Sequence, residues 1–329
     1  MKKIKLSFLL ALGFFLSLSA APLDETKTAF FDSDLQWAFP QKLGGLDYVM
    51  VEKYDEKEQG YKVFYKEGDA FKVEVTVYNM GHATIPDGCK DPMLLERFEG
   101  VEYQLKRREK QGQILELKKR GTIFFPPKSA LQFVSTAFQY KLNKNPEDPK
   151  SVIKIVYVTA QKNNFVKVVF LVDFAQRVEA QKRSIKMISQ LIKMLQTKHD
   201  EKTTFLAFYE SLLCDPTSYS GKIAAQYILD KVKNAKNLNT YTHLFVWTKM
   251  PTPPKNYELL LAGYFAGMFK GMMDEKGENA GDLQAFCTML DVYKTMRKKD
   301  EIVEMPKLDE WAAVSDKKAL FEKLLFVEK

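Results

Sequence analysis

The chain is poor in the side chains that do covalent chemistry, with three histidines and three cysteines in 329 residues. None of His82, His199 and His243 stands beside a nucleophile signature such as Gly-x-Ser-x-Gly, and no His-Glu-x-x-His run is present to hold a zinc ion. No glycine loop follows a strand pattern to cradle a phosphate. Gly44-Gly45 precedes a strand, the wrong side for a dinucleotide turn. Acyl transfer, zincin chemistry and nucleotide-dependent catalysis in their usual forms are therefore excluded, and no catalytic residue, cofactor or metal is assigned. Cys89, Cys214 and Cys287 are odd in number, which excludes complete intramolecular pairing. Cys214 and Cys287 share the C-terminal half and can meet, which leaves Cys89 buried, free or joined to another molecule.

A long apolar run is also missing. Residues 6–18 are apolar except for Ser7, Gly13 and Ser17, and a bilayer span needs about twenty such residues. Lys2, Lys3 and Lys5 precede this run and Ser19, Ala20 and Ala21 follow it, the three-part layout of an export signal cut after Ala20 or Ala21. No cysteine ends the run, so a lipid anchor there is excluded. The expected location is periplasmic or secreted, with 1–21 as the signal peptide. Three of the lysines behind the net charge of +8 lie in that leader, and the remaining +5 is spread along the chain. That distribution gives no basis for a nucleic-acid partner.

What is present falls into two blocks. After an extension at 22–45, the residues Phe71, Val73, Val75 and Val77 alternate with Lys72, Glu74 and Thr76, the period of a strand with one buried face. Residues 61–66 pair with it through Glu67-Gly68-Asp69. Asp91 as cap and Pro92 at the first position announce a helix, with Leu94, Phe98, Val101 and Leu105 on one side and Gly112 as its stop. Strands are expected at 114–125, 130–142, 152–160 and 165–173, the last two joined by Lys162-Asn163-Asn164. A helix at 176–196, with Val178, Ile185, Ile188, Ile192 and Leu195 on a common face, closes the block.

Three strands, a helix, four strands and a helix, with 61–78 leading to the helix at 92–111, is an order that resembles the Mog1/PsbP-like fold. The resemblance spans about half the chain and implies an α+β unit, an antiparallel sheet with packed helices. It implies binding and assembly roles and brings no universal catalytic residues. The phrase Val77-Tyr78-Asn79-Met80-Gly81 running into Ile85-Pro86-Asp87-Gly88 is also similar to segments of uncharacterised exported bacterial proteins.

From about 202 the pattern is helical. Thr203 or Thr204 caps 205–213, and 223–232 follows with Ile223 and Tyr227 toward the core. The stretch 242–248 reads as extended before Pro251, Pro253 and Pro254. Helices at 257–273, 283–299 and 317–324 complete a small all-α domain. Gly263, Gly267 and Gly271 recur every four residues, so they share one helix face and predict the close approach of a neighbouring helix. The domains are therefore 46–198, a sheet unit, and 199–329, a helical unit.

The densest basic run is Lys106, Arg107, Arg108 and Lys110 followed by Lys118, Lys119 and Arg120, which folding the helix back on the next strand brings together. It is the candidate binding surface. Together with Trp247 and Trp311 as exposed aromatic candidates, it points to a non-catalytic interaction or assembly module. The expected partner is a protein, with an anionic surface as the second reading and no stable membrane span. The alternative is a hydrolase or other enzyme with an unfamiliar site in the loop 81–92, where His82, Asp87, Cys89 and Asp91 gather.

Overall fold

The structure, a computed structural model, describes residues 27–235, 240–274 and 280–325. The export leader and its cleavage site lie outside the described residues. The stretch 22–45, an extension with no element assigned from sequence, carries three strands: β1 (Thr28–Asp32), β2 (Trp37–Pro40) and β3 (Lys42–Leu43). β1 and β2 form a separate hairpin. Its apolar residues do not alternate with polar ones because both of its faces are buried. Successive side chains of a strand point to opposite sides, so Phe30 enters one core and Phe31 another.

β4 (Leu46–Lys53), β5 (Tyr61–Glu67) and β6 (Phe71–Tyr78) follow. Helix α1 (Pro92–Lys110) begins where Asp91 accepts a hydrogen bond from the Met93 amide at 2.9 Å. It ends in a Schellman closure: the Gly112 amide reaches the Glu109 carbonyl at 2.9 Å, the Gln113 amide reaches that of Arg108 at 3.0 Å, and Gly112 takes φ +69°. Leu94, Phe98, Val101 and Leu105 are its buried residues, as the spacing requires. Then come β7 (Ile114–Lys119), β8 (Ile123–Phe125), β9 (Phe133–Leu142), β10 (Lys150–Gln161), β11 (Asn164–Asp173) and α2 (Arg177–Gln196). Lys162 and Asn163, at φ +48° and +61°, make the tight turn between β10 and β11.

All strand pairs are antiparallel, in the order β3-β4-β5-β6-β11-β10-β9-β7, with β8 on β9. One face packs on α2 and the hairpin, through Met187, Ile188, Leu191, Trp37 and Phe39. The other packs on α1. Val178 and Ile185 do not join the buried stripe of α2. They lie on its solvent flank, 58% and 41% exposed, while Ala180, Ser184, Met187, Leu191 and Leu195 face the sheet.

The C-terminal half is helical: α3 (Glu201–Cys214), α4 (Tyr219–Asn234), α5 (Tyr257–Asp274), α6 (Ala280–Arg297), α7 (Pro306–Ala313) and α8 (Lys317–Leu325). Asp200, not a threonine, caps α3, accepting from the Thr203 amide at 2.8 Å. The stretch 242–248 is not extended; its β-branched and aromatic residues form two 3-10 turns, Thr242–Leu244 and Val246–Lys249. Trp247 and Trp311, expected at the surface, are 2% and 3% exposed and belong to the helical core. The glycine series packs as its spacing requires. A Cβ on Gly267 would lie 2.4 Å from the Gln284 carbonyl oxygen and one on Gly263 2.9 Å from Val292, both on α6.

No helix among the described residues is long and apolar enough to cross a membrane. Cys89, Cys214 and Cys287 are free thiols, so the pairing open to Cys214 and Cys287 is not made. The architecture is α+β, one antiparallel sheet with packed helices followed by an all-α half.

Candidate functional site

The structure does bring the two basic runs together. α1 lies along β7, where the Glu109 carboxylate accepts from the Leu117 amide at 2.8 Å. Glu102 stands between the runs and binds Lys106 of α1 at 2.7 Å and Lys119 of β7 at 2.6 Å. Those two ammonium groups hold its carboxyl below the usual range. Arg108 donates to Gln113 at 3.3 Å and Arg120 to Gln139 at 2.8 Å. Arg107 and Lys110, on the last turn of α1 where the helix dipole favours cations, are exposed and have no ion pair among the described residues. Lys118 is exposed beside them.

Sheet register extends this face with residues that sequence reasoning missed. Lys62 of β5, Lys167 of β11 and Lys154 of β10 all project on the α1 side, beyond the part of the sheet that α1 covers. Lys62 and Lys167 flank Thr76 on neighbouring strands, and Lys154 lies across from Leu171. Glu74 stands among them and pairs with Lys62 at 3.3 Å. Burial pushes the ammonium pKa of Lys154 down, and Lys167 and Arg108 push the same way. Lys167 is lowered too, by burial, against which the Glu74 carboxylate acts more strongly than Lys62 adds to it. Each of these lysines is an ordinary outward residue in its own strand. Only the strand order makes them neighbours.

The loop 81–92 does not converge on a reaction centre. Asp87 accepts from the Lys162 amide at 2.8 Å, Asp91 caps α1, and Cys89 is buried beside α1 with its thiol pKa pushed up by burial. His82 has its Nε2 3.2 Å from Nη2 of Arg97 and its ring edge-on to Phe165. Among the described residues no group of three or more His, Cys, Asp and Glu is placed to hold a metal ion.

A cleft of about 590 Å³ opens beside His82, between the hairpin, the ends of β4, β5 and β6, and the start of α4. Asp32 shapes its hairpin wall by accepting from the amides of Asp34 and Leu35, both at 3.0 Å. Gly60 permits the opposite wall, since a Cβ there would lie 1.8 Å from the Val77 carbonyl oxygen. Lys53 donates to the Tyr219 hydroxyl of α4 at 2.9 Å. Tyr61 is 8% exposed, its ring edge-on to Phe30 at 5.1 Å, and its hydroxyl makes no hydrogen bond of good geometry among the described residues. Burial first, then the neighbouring Asp32 carboxylate, push that phenol well above its ordinary pKa. No motif announced this cleft, because its walls come from five separate parts of the chain.

No protein-family model matches the chain, and no curated protein does. Among solved structures it is similar to cyanobacterial PsbP (CyanoP) from Synechocystis sp. PCC 6803, known from a solution structure, at 11% identity and a TM-score of 0.33. The match covers 54% of this chain and 96% of that one. The α+β assignment rests on the strand order itself, and no residue role is carried across.

Proposed function

We propose that the chain is an exported, non-catalytic interaction module that docks an acidic protein surface on the face made by the end of α1, β7 and the adjoining sheet. The observation that carries this reading is the gathering of Lys154, Lys167, Lys62 and Arg108 on one face, where burial disfavours the protonated forms of Lys154 and Lys167. A carboxylate-bearing partner relieves that cost, so binding is strengthened there relative to a dispersed basic surface. Lys106, Arg107, Lys110, Lys118, Lys119 and Arg120 form the solvated rim that steers the encounter. Export is supported by the basic, apolar and small-residue layout of 1–21.

The test places a photo-crosslinking residue at Lys110 or Lys118, and at Val178 on the solvent flank of α2 as control, in the exporting cell. A discrete protein adduct from the first two positions, absent at Val178 and lost when Arg107→Glu and Lys154→Glu are added, is expected. Its formation weakens with salt, since screening shortens to about 3 Å at 1 M. Adducts equal at all three positions overturn the assignment, and binding only to anionic vesicles transfers the face to lipid head groups. N-terminal sequencing of the same material reports export by a start at Ala21 or Pro22.

A further inference from the structure

The cleft beside the hairpin is separate from the cationic face and has the opposite charge. Asp32, Asp34 and Glu58 line it with Lys53, whose ammonium the Tyr219 hydroxyl already engages, while the ammonium of Lys162 is held behind the hairpin turn by the Leu35 carbonyl. We propose that this cleft binds a ligand cation, an ammonium or guanidinium group on a short aliphatic stem, with Asp32, Asp34 and Glu58 receiving the charge and the Tyr61 hydroxyl, buried and without a well-formed hydrogen bond, turned toward the bound group.

Three features argue for this class. The volume of about 590 Å³ suits a small molecule or one long side chain, within the usual range of about 300 to 1,000 Å³ for ligand pockets. Phe31, Val77 and Ile223 supply apolar wall for a methylene stem, while the carboxylates lie on the hairpin turn and the β4–β5 connection. A carboxylate cluster beside aromatic rings favours a cation through both charge and ring quadrupole. Asp32 and Asp34 act in the same sense on their neighbours, raising the pKa of both Lys53 and Tyr61 after the larger effects of the Tyr219 hydrogen bond on the first and burial on the second.

The exposure of Ile223 follows from the same geometry. Its position on α4 reads as core in the sequence, yet it is 37% exposed because it lines this cleft. Tyr219 and Ile223 belong to the helical half and the acidic residues to the hairpin and sheet, so an occupant touches both halves and stabilises their junction by linkage.

The shared chemistry has two sources, a free amine or guanidine and the Arg or Lys side chain of a peptide. Calorimetric titration of the full purified chain with agmatine, spermidine and the tripeptide Gly-Arg-Gly, with Gly-citrulline-Gly as the neutral isostere, separates them. Saturable binding of agmatine or spermidine assigns a free cation, and binding of Gly-Arg-Gly alone assigns a side chain. Either supports the site if Glu58→Gln and Asp32→Asn each weaken it by about tenfold, as expected for loss of a charge-assisted hydrogen bond. Tyr61→Phe is expected to weaken it less. Asn at position 32 retains the acceptor that holds the turn, and exposed Glu58 can change without touching a core, so loss of folding does not mask the result. Equal binding of the citrulline peptide, affinity unaffected by Glu58→Gln, or no binding by any of the cations overturns the proposal. Crosslinking on the cationic face is independent of every one of these outcomes.

Discussion

The sheet half and the helical half each bury an apolar core, but they store the instruction for doing so differently. In the sheet half it is local: β5 and β6 alternate, Asp91 and Gly112 mark the ends of α1, and Lys162-Asn163 turns β10 into β11. In the helical half it lies in what one helix allows another to do, since α5 is apolar nearly all round and only its glycine face fixes which neighbour approaches. Between them stands the β1–β2 hairpin, which belongs to neither pattern. Phe31 meets Phe208 of α3 with ring centroids 5.0 Å apart, and the Thr28 amide donates to Glu210 at 2.5 Å, while Phe30, Trp37 and Phe39 enter the sheet core.

The hairpin gives the strongest way to break this comparison. Units 46–198 and 199–329 are expected to fold separately and to be joined through it. Phe31→Ala should cost about 3 to 5 kcal/mol, the usual range for emptying a buried phenylalanine site. The loss should fall on the helical half, whose core holds Phe31 at 1% exposure. Chemical unfolding followed by two probes, with limited proteolysis at 197–200, measures it. Destabilisation of both halves together, with no stable sheet fragment, would mean a single cooperative unit.

A smaller effect sharpens the contrast between two kinds of glycine. At Gly267 an added Cβ meets the Gln284 carbonyl oxygen at 2.4 Å and the Ala285 Cα at 2.7 Å, and backbone cannot step aside. Gly267→Ala should therefore destabilise by about 1 to 3 kcal/mol although alanine is the better helix former, and Gly267→Leu by more. Gly112 has open space around its Cβ position and is required only for its φ of +69°. Gly112→Ala is expected to cost about 1 kcal/mol, and Gly112→Asn less, because asparagine tolerates the left-handed region. Asparagine at 267 should give no such relief. Thermal unfolding of the five variants decides it, and a midpoint raised by Gly267→Ala would remove the packing account.

The same contrast explains what was legible. Strand and helix positions from Tyr61 to Gln196 follow from periodicity, capping and turn residues, except that 114–125, expected as one strand, is broken into β7 and β8 after Lys119. The hairpin at 28–40 did not follow, because residues buried on both sides show no alternation. Trp247 and Trp311 were misplaced for a related reason: a 3-10 turn and an eight-residue helix carry too few positions to reveal which face is covered. Of the candidate surface, the runs on α1 and β7 were visible as charge density. Lys154 and Lys167 were not, since each sits alone among apolar residues until β10 and β11 are laid side by side.

The smallest expected effect separates cations that the sheet half crowds from one that the helical half pairs. Lys154 and Lys167 have pKa values lowered from 10.5 by burial first, with Lys167 and Arg108 adding to the effect on Lys154 and the Glu74 carboxylate opposing it at both. A lowered lysine releases its proton in the folded state before it does so unfolded. At pH values below the lowered folded pKa the full penalty is present, and as pH rises from there toward 10.5 the unfolded chain holds more protons and stability increases. The double change Lys154→Met and Lys167→Met should raise the unfolding midpoint at neutral pH by about 2 °C, the shift that somewhat less than 1 kcal/mol gives a chain of this size. It should also flatten the rise of the midpoint on the alkaline side. Lys231 differs: the Glu201 carboxylate, 2.7 Å away, raises its pKa, so Lys231→Met should leave the midpoint unchanged or slightly lower. A fall on removing the sheet lysines, with no change in the alkaline slope, would show that they are satisfied where they stand and would take from the cationic face its reason to seek a partner.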